Sequence, residues 1–185
     1  MIKFKFKGLE GGTIHVNAPD CWEDVLVKHF VNPDFLARDS ISLLSSLSGI
    51  DRNTLLNSKE DIAGQLIRMV GFISIDKNGF NIKEKPERFK LMGVDCLVPK
   101  DIELERVGQK ILFQDAMVKH KFIYQGIPEA IAIYLAPELN NGEFDDSKLP
   151  EIIEAVMGLR LVDVFPIADF FLIKCRLLMR NGKLY

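Results

Sequence analysis

Apolar residues recur at helical spacing over residues 41–75, which we predict to form two helices meeting at a corner. The first apolar face contains Leu36, Leu43, Leu44 and Leu47, with the small Ser40 filling the gap between them. Gly49 follows where a left-handed helix C-cap belongs, because glycine adopts that conformation without steric cost. The second face contains Ile62, Leu66, Met69, Val70 and Ile73. Asp51 is placed to cap the turn between them, and Ser58 with Asp61 resembles a capping box. We expect this corner to form the core.

An earlier helix is predicted just before this corner. Asp20 is placed to cap a short helix that runs to Phe30, with Glu23 three residues after the cap. Asn32-Pro33 breaks it, and Pro33 suits the first position of the helix that carries Leu36.

Alternating polar and apolar residues predict two β-hairpins. Ile2, Phe4 and Phe6 alternate with Lys3, Lys5 and Lys7 before a glycine-rich turn and a second strand over residues 13–16. The lysines are expected on the solvated face, where they discourage pairing between sheet edges. A second short hairpin is predicted near residues 88–99, turning at Gly93 and ending at Pro99, and Asn78-Gly79 adds a separate turn signal.

The remaining pattern predicts helices. Residues 103–119 carry apolar side chains at helical spacing, namely Leu104, Val107, Ile111 and Val118. Pro128 opens another helix, which Pro137 closes, and a C-terminal helix pair covers residues 150–164 and 167–180. The predicted fold class is therefore α+β and mostly helical, with an N-terminal β-hairpin, a helical core, the second hairpin and the C-terminal helix pair. We predict a single domain over residues 1–185, with the hairpin at 1–17 as a candidate appendage.

Composition and charge restrict the partners. The 24 basic against 26 acidic residues give a net charge of −2, so no electrostatic attraction to nucleic acid or anionic membranes is expected. The most apolar run, residues 162–179, is interrupted by Asp163, Pro166, Asp169, Lys174 and Arg176, which indicates buried helices and not a membrane span. No signal peptide is expected from the alternating N-terminus. Cys21, Cys96 and Cys175 are predicted to be reduced thiols.

The sequence contains no phosphate-binding loop, dinucleotide-binding glycine motif or nucleophile elbow, and its three histidines lie far from one another. The acidic loop with Glu143, Asp145 and Asp146 lacks the ligand order of a calcium-binding loop. Asp145, Asp146 and Ser147 are better placed to cap the next helix. We therefore predict no catalytic, cofactor-binding or metal-binding residues. One alternative stays open, a small enzyme whose site is assembled from Asp101, Glu103, His120 or Asp145, which must then converge in a pocket.

A second alternative is a host-side regulatory binding module that uses the basic C-terminal residues. These are Lys174, Arg176, Arg180 and Lys183, which a helix dipole would also favour at a helix C-terminus. Interleaved aromatic residues for base stacking are missing from this segment. Phe165, Phe170 and Phe171 cluster nearby, and they are expected to fill the core or, where exposed, to form a docking patch.

The order of several segments resembles small structural or assembly proteins of tailed bacteriophages of gut bacteria, of the tail assembly chaperone type or uncharacterised virion proteins. The segments are residues 22–25 (WEDV), 43–51 (LLSSLSGID) and 55–56 (LL), followed more loosely by 98–103 (VPKDIE) and 127–131 (IPEAI). The resemblance extends from residue 14 to about residue 135. It consists of a helix, a glycine C-cap and a turn, so it implies no site residues.

This resemblance implies a non-enzymatic role in phage assembly through protein–protein contacts, without a cofactor. The expected partners are other phage structural proteins, in a homo-oligomer or a hetero-complex, and no membrane or nucleic acid. The expected location is the host cytoplasm during assembly, or the virion itself. A role of this kind predicts at least one exposed apolar patch.

Overall fold

A computed structural model of the chain describes residues 1–8, 11–36, 39–58, 64–67, 70–75, 84–98, 101–102, 104, 106–120 and 123–180. The contacts group the chain into two compact units, residues 1–81 with 160–162, and residues 82–159 with 163–185. The described part is α+β and mostly helical, as predicted, with eight α-helices and two antiparallel hairpins. None of the described helices is both long and apolar enough to cross a bilayer. The single-domain prediction for residues 1–185 stays a prediction.

The first unit opens with the predicted hairpin of strands β1 (Ile2–Lys7) and β2 (Thr13–Ala18). The register pairs Phe4 with Val16 and Lys5 with His15, so that apolar and polar residues lie on opposite faces. Phe6 and Val16 are buried, whereas the three lysines of β1 are exposed, as the alternation predicted.

The helix predicted from Asp20 to Phe30 is wrong in its continuity. A 3₁₀ turn (Trp22–Asp24) and the short helix α1 (Val27–Phe30) are separated by extended residues. The reason is local: Leu26 pairs with Arg160 in an isolated β-bridge, and the carbonyl oxygen of Val25 accepts from the N–H of Leu161 at 2.7 Å. Asp20 does not cap a helix, because its carboxylate binds the amino-terminal ammonium at 2.6 Å.

The predicted helical corner is present in its first half. A 3₁₀ turn (Pro33–Leu36) precedes α2 (Ser40–Ser48), so Pro33 does not begin one continuous helix. Leu44 and Leu47 are buried, but Ser40 is exposed, and the small residues that fill the core side are Ser42 and Ser46.

The caps in this corner follow the prediction. Gly49 adopts φ 70° at the C-cap of α2, and Asp51 accepts from the N–H of Thr54 at the start of α3 (Arg52–Leu56). Residues 64–67 and α4 (Gly71–Ile75) follow the second predicted helical face, where Leu66 and Val70 are buried. Asp61, Ile62, Met69 and the Asn78-Gly79 turn lie outside the described residues.

The second unit contains the other predicted hairpin, β3 (Arg88–Leu91) and β4 (Val94–Leu97). Four helices follow: α5 (Val107–Lys119), α6 (Ile127–Leu139), α7 (Leu149–Met157) and α8 (Leu161–Arg180), of which α8 belongs to this unit from residue 163 onward. Helix α6 contacts α5, α7 and β4, and most of its residues are buried, so it forms the centre of this core. At the outer edge of the hairpin, the Glu138 carboxylate accepts from the N–H of Leu97 at 3.1 Å.

Two helix ends differ from the prediction. Helix α6 continues through Pro137 to Leu139, although Pro137 was predicted to close it. The C-terminal pair breaks at residues 158–160, and Pro166 lies inside α8, whereas the break was predicted between residues 164 and 167. Proline near the start of a helix removes only one hydrogen bond, and the bridge at Arg160 sets the break instead.

Candidate protein-interaction surface

The rotation of α5 is fixed by its buried side, which consists of Gln109, Phe113, Ala116 and Met117. The ring of Phe113 lies 6.0 Å from that of Phe171, centre to centre. The side-chain amide of Gln109 donates to the carbonyl oxygens of Ile133 and Tyr134 in α6, at 3.1 and 3.2 Å. These contacts hold α5 against α6 with one defined face outward.

That outward face carries apolar β-branched residues. Val107 is 77% exposed, Ile111 51% and Val118 67%. At 100° per residue the three lie within about 40° of one another, over about 16 Å of helix. We call Val107, Ile111 and Val118 the α5 stripe. Their spacing indicated a helix but not its exposed side, because periodicity does not say which face meets the core.

Polar and charged residues border the α5 stripe. Gln114 lies within it and is half-buried, while Lys110 and Asp115 are exposed on opposite flanks. Within the described part of the chain, neither Lys110 nor Asp115 forms an ion pair. By contrast, Lys119 at the end of α5 pairs with Glu129 at 2.9 Å. Among the described residues, the stripe is thus an apolar seam with an unpaired lysine on one flank and an unpaired aspartate on the other.

The residues of the enzyme alternative make separate contacts. Asp101 pairs with Lys174 at 3.1 Å, and His120 lies 3.2 Å from Glu129. Asp145 accepts from the hydroxyl and from the N–H of Ser147, in the predicted capping role, and these two hydrogen bonds lower the pKa of its carboxyl. Among the described residues, Asp101, His120 and Asp145 do not form a cluster of metal-ligand dimensions. Glu103 lies outside the description.

Among the described residues, the one trio of metal-ligand dimensions is Asp20, Cys21 and Asp24, whose ligand atoms lie within 4.8 Å of one another. No motif in the sequence predicted this trio. The amino-terminal ammonium binds both carboxylates there, and its hydrogen bonds to Asp20 and then Asp24 raise its pKa to about 10. A positive group of the chain itself thus neutralises this acidic cluster.

The structure also locates two cysteines, the phenylalanine cluster and part of the basic C-terminal segment. Cys21 and Cys96 are free thiols, and burial raises the pKa of Cys96 to about 11, which makes it a poor nucleophile at neutral pH. Phe171 is buried and Phe170 half-buried, so the phenylalanine cluster belongs mainly to the core. Lys174 lies 5.9 Å from the ring centre of Phe170. The side chains of Cys175, Arg176 and Arg180, and all of Lys183, lie outside the description.

Two open depressions of about 560 Å³ each lie elsewhere. One follows the polar face of the first hairpin and is lined by Lys3, Phe4, Lys5, His15, Val16 and Asn17. The other is lined by Lys85, Pro86, Glu87, Leu97 and Val98. Neither lining contains Asp101, His120 or Asp145.

Protein-family models, characterised proteins and solved structures were compared with the chain, and none of them matches it.

Proposed function

We propose that this chain is a non-enzymatic structural or assembly protein of a tailed bacteriophage and that it acts through protein–protein contacts. The observation that carries the protein-contact part is the α5 stripe, where three β-branched side chains are presented together to solvent. Scattered exposed apolar residues are ordinary on protein surfaces, but an aligned group on a rigid helix is typical of a binding surface.

The rigidity of the stripe also supports this function. Gln109 and Phe113 anchor the opposite side of α5, so the apolar residues are presented in a fixed arrangement and little ordering is required on binding. The phage context comes from the sequence resemblance over residues 14 to about 135, which is a resemblance of helix and turn segments.

The test is co-expression of the full chain with the products of the neighbouring genes, followed by size-exclusion chromatography with light scattering. We expect a stable complex with at least one neighbouring product. Ile111→Gln should weaken that complex, whereas Ile173→Gln, which changes an equally exposed isoleucine on α8, should leave it intact. A chain that forms no complex with any neighbouring product would overturn the phage assembly role.

A further inference from the structure

We propose that the α5 stripe binds the same stripe of a second copy of this chain, with the two α5 helices parallel about a two-fold axis. This inference rests on the proposed function, because it names one of the protein contacts through which the chain would act.

The spacing is that of a coiled-coil seam. Val107, Ile111, Gln114 and Val118 follow one another at steps of four, three and four residues. In heptad terms Ile111 and Val118 occupy a positions, and Val107 and Gln114 occupy d positions. β-Branched residues at a positions are compatible with a two-stranded parallel seam, whose holes accept their side chains there.

The charges of Lys110 and Asp115 determine whether the two α5 helices run parallel or antiparallel. In this register Lys110 is a g position and Asp115 the e position five residues later. In a parallel pair, g of one helix faces e of the next heptad in the other, so Lys110 meets Asp115 of the second copy twice per dimer. An antiparallel pair would bring Lys110 near Lys110 and Asp115 near Asp115. Because like charges repel, the parallel arrangement is favoured.

Gln114 fits the same arrangement. In a symmetric parallel dimer, the two Gln114 side chains meet at the two-fold axis, where each amide can both donate and accept. A polar residue within an apolar seam costs stability but fixes the register of the two helices.

The paired surface is small. A helix of 13 residues offers about two heptads. The surface area that such a short seam buries is below the roughly 1,000 Å² that stable interfaces usually bury. We therefore expect a dimer that forms reversibly with rising concentration, and further association in the presence of other assembly partners.

The test is sedimentation velocity of the full-length chain over a wide concentration range. Ile111→Gln should weaken dimerisation by about tenfold or more, because two buried isoleucines are lost per dimer. Ile173→Gln is the matched control and should leave it unchanged. Lys110→Glu and Asp115→Lys should each weaken it by about threefold or more, and the double variant that combines them should restore it.

The outcomes separate the inference from the proposed function. A chain that stays monomeric, or a dimer insensitive to Ile111→Gln, overturns the inference, although a complex with a neighbouring gene product would keep the proposed function. Dimerisation that depends on Ile111 but ignores both charge reversals overturns the parallel arrangement. If the double charge variant restores dimerisation but the chain forms no complex with any neighbouring product, the result supports the inference and counts against the phage assembly role.

Discussion

Gln109 supplies the hydrogen bond that Pro137 cannot make. Within α6 the carbonyl oxygen of Ile133 would accept from the N–H of residue 137, which proline lacks. The buried amide of Gln109, on the neighbouring helix, donates to this carbonyl oxygen at 3.1 Å. The pair explains both why α6 continues past a proline and why a polar side chain is buried on α5.

We predict that Gln109→Leu lowers the free energy of unfolding by about 1–3 kcal/mol, because the carbonyl oxygen of Ile133 then remains buried without a donor. In a Pro137→Ala background the same change should cost at least about 1 kcal/mol less, since the new N–H of residue 137 takes over. Urea unfolding of the four proteins measures this coupling. If Gln109→Leu costs the same stability in both backgrounds, Gln109 does not compensate for Pro137.

Gly126 is required for space and not for its backbone angle. Its φ is −81°, which every residue adopts, but a Cβ there would lie 2.4 Å from the carbonyl oxygen of Ala116. Gly126→Ala should therefore destabilise the protein by about 2 kcal/mol or more.

Gly108→Ala is the matched control for this change. It lies inside α5, and its added Cβ would be in ordinary contact with the ring of Phe144 at 3.7 Å. It should stabilise by about 0.5–1 kcal/mol, since alanine is the better helix former. Thermal unfolding of both variants measures the difference, and a Gly126→Ala variant as stable as the wild type would refute the close approach.

His29 should make stability depend on pH. Burial, and to a lesser extent Lys28, lowers the pKa of His29 to about 4, and its Nδ1 accepts from the N–H of Leu26 at 3.1 Å. Because the unfolded chain binds the proton at a pKa of about 6.5, stability is full above that pH and decreases as the pH falls toward 4. Because His29 is only partly buried and solvent screens its charge, this group alone should remove about 1 kcal/mol between pH 7 and pH 5.

His29→Asn tests this by keeping an acceptor near the N–H of Leu26 while removing the titration. Urea unfolding at pH 7 measures the packing that is lost, and the difference between pH 7 and pH 5 measures the titration. We expect the variant to lose about 1 kcal/mol less than the wild type over this range. If the variant and the wild type lose the same stability between pH 7 and pH 5, His29 has the same pKa in the folded and unfolded states.

Cooperative unfolding would support the single domain predicted for residues 1–185. Trp22 is the only tryptophan of the sequence and lies in the first unit, 5.5 Å from Phe72 between ring centres. The long helices α5, α6 and α7 lie in the second unit and contribute strongly to far-ultraviolet circular dichroism. In urea, the fluorescence and dichroism transitions of one cooperative domain coincide. Two separate midpoints would indicate two domains.

The elements set by local chemistry could be predicted from the sequence. Both hairpins follow from residue alternation and turn glycines, and the C-cap at Gly49 follows from its left-handed conformation. Elements that depend on distant partners could not be predicted. Pro137 ends a helix by its local preference, but Gln109 on another helix compensates for it.

The candidate site was predicted only in part. The apolar spacing of Val107, Ile111 and Val118 predicted the helix, and an exposed patch was expected somewhere on the chain. That this face is the exposed one depends on the contacts of Gln109 and Phe113 with other helices. Likewise, the amino-terminal ammonium lies beside Asp20 because the first hairpin pairs Ile2 with Ala18.

The contact between Glu138 and Leu97 has a consequence for how the second hairpin can associate. A foreign strand that added to the β4 edge would need the N–H of Leu97, which already donates to the Glu138 carboxylate. It would have to displace this carboxylate and place its own carbonyl oxygen beside a negative charge. Glu138 thus disfavours the addition of a foreign β-strand at this edge of the hairpin.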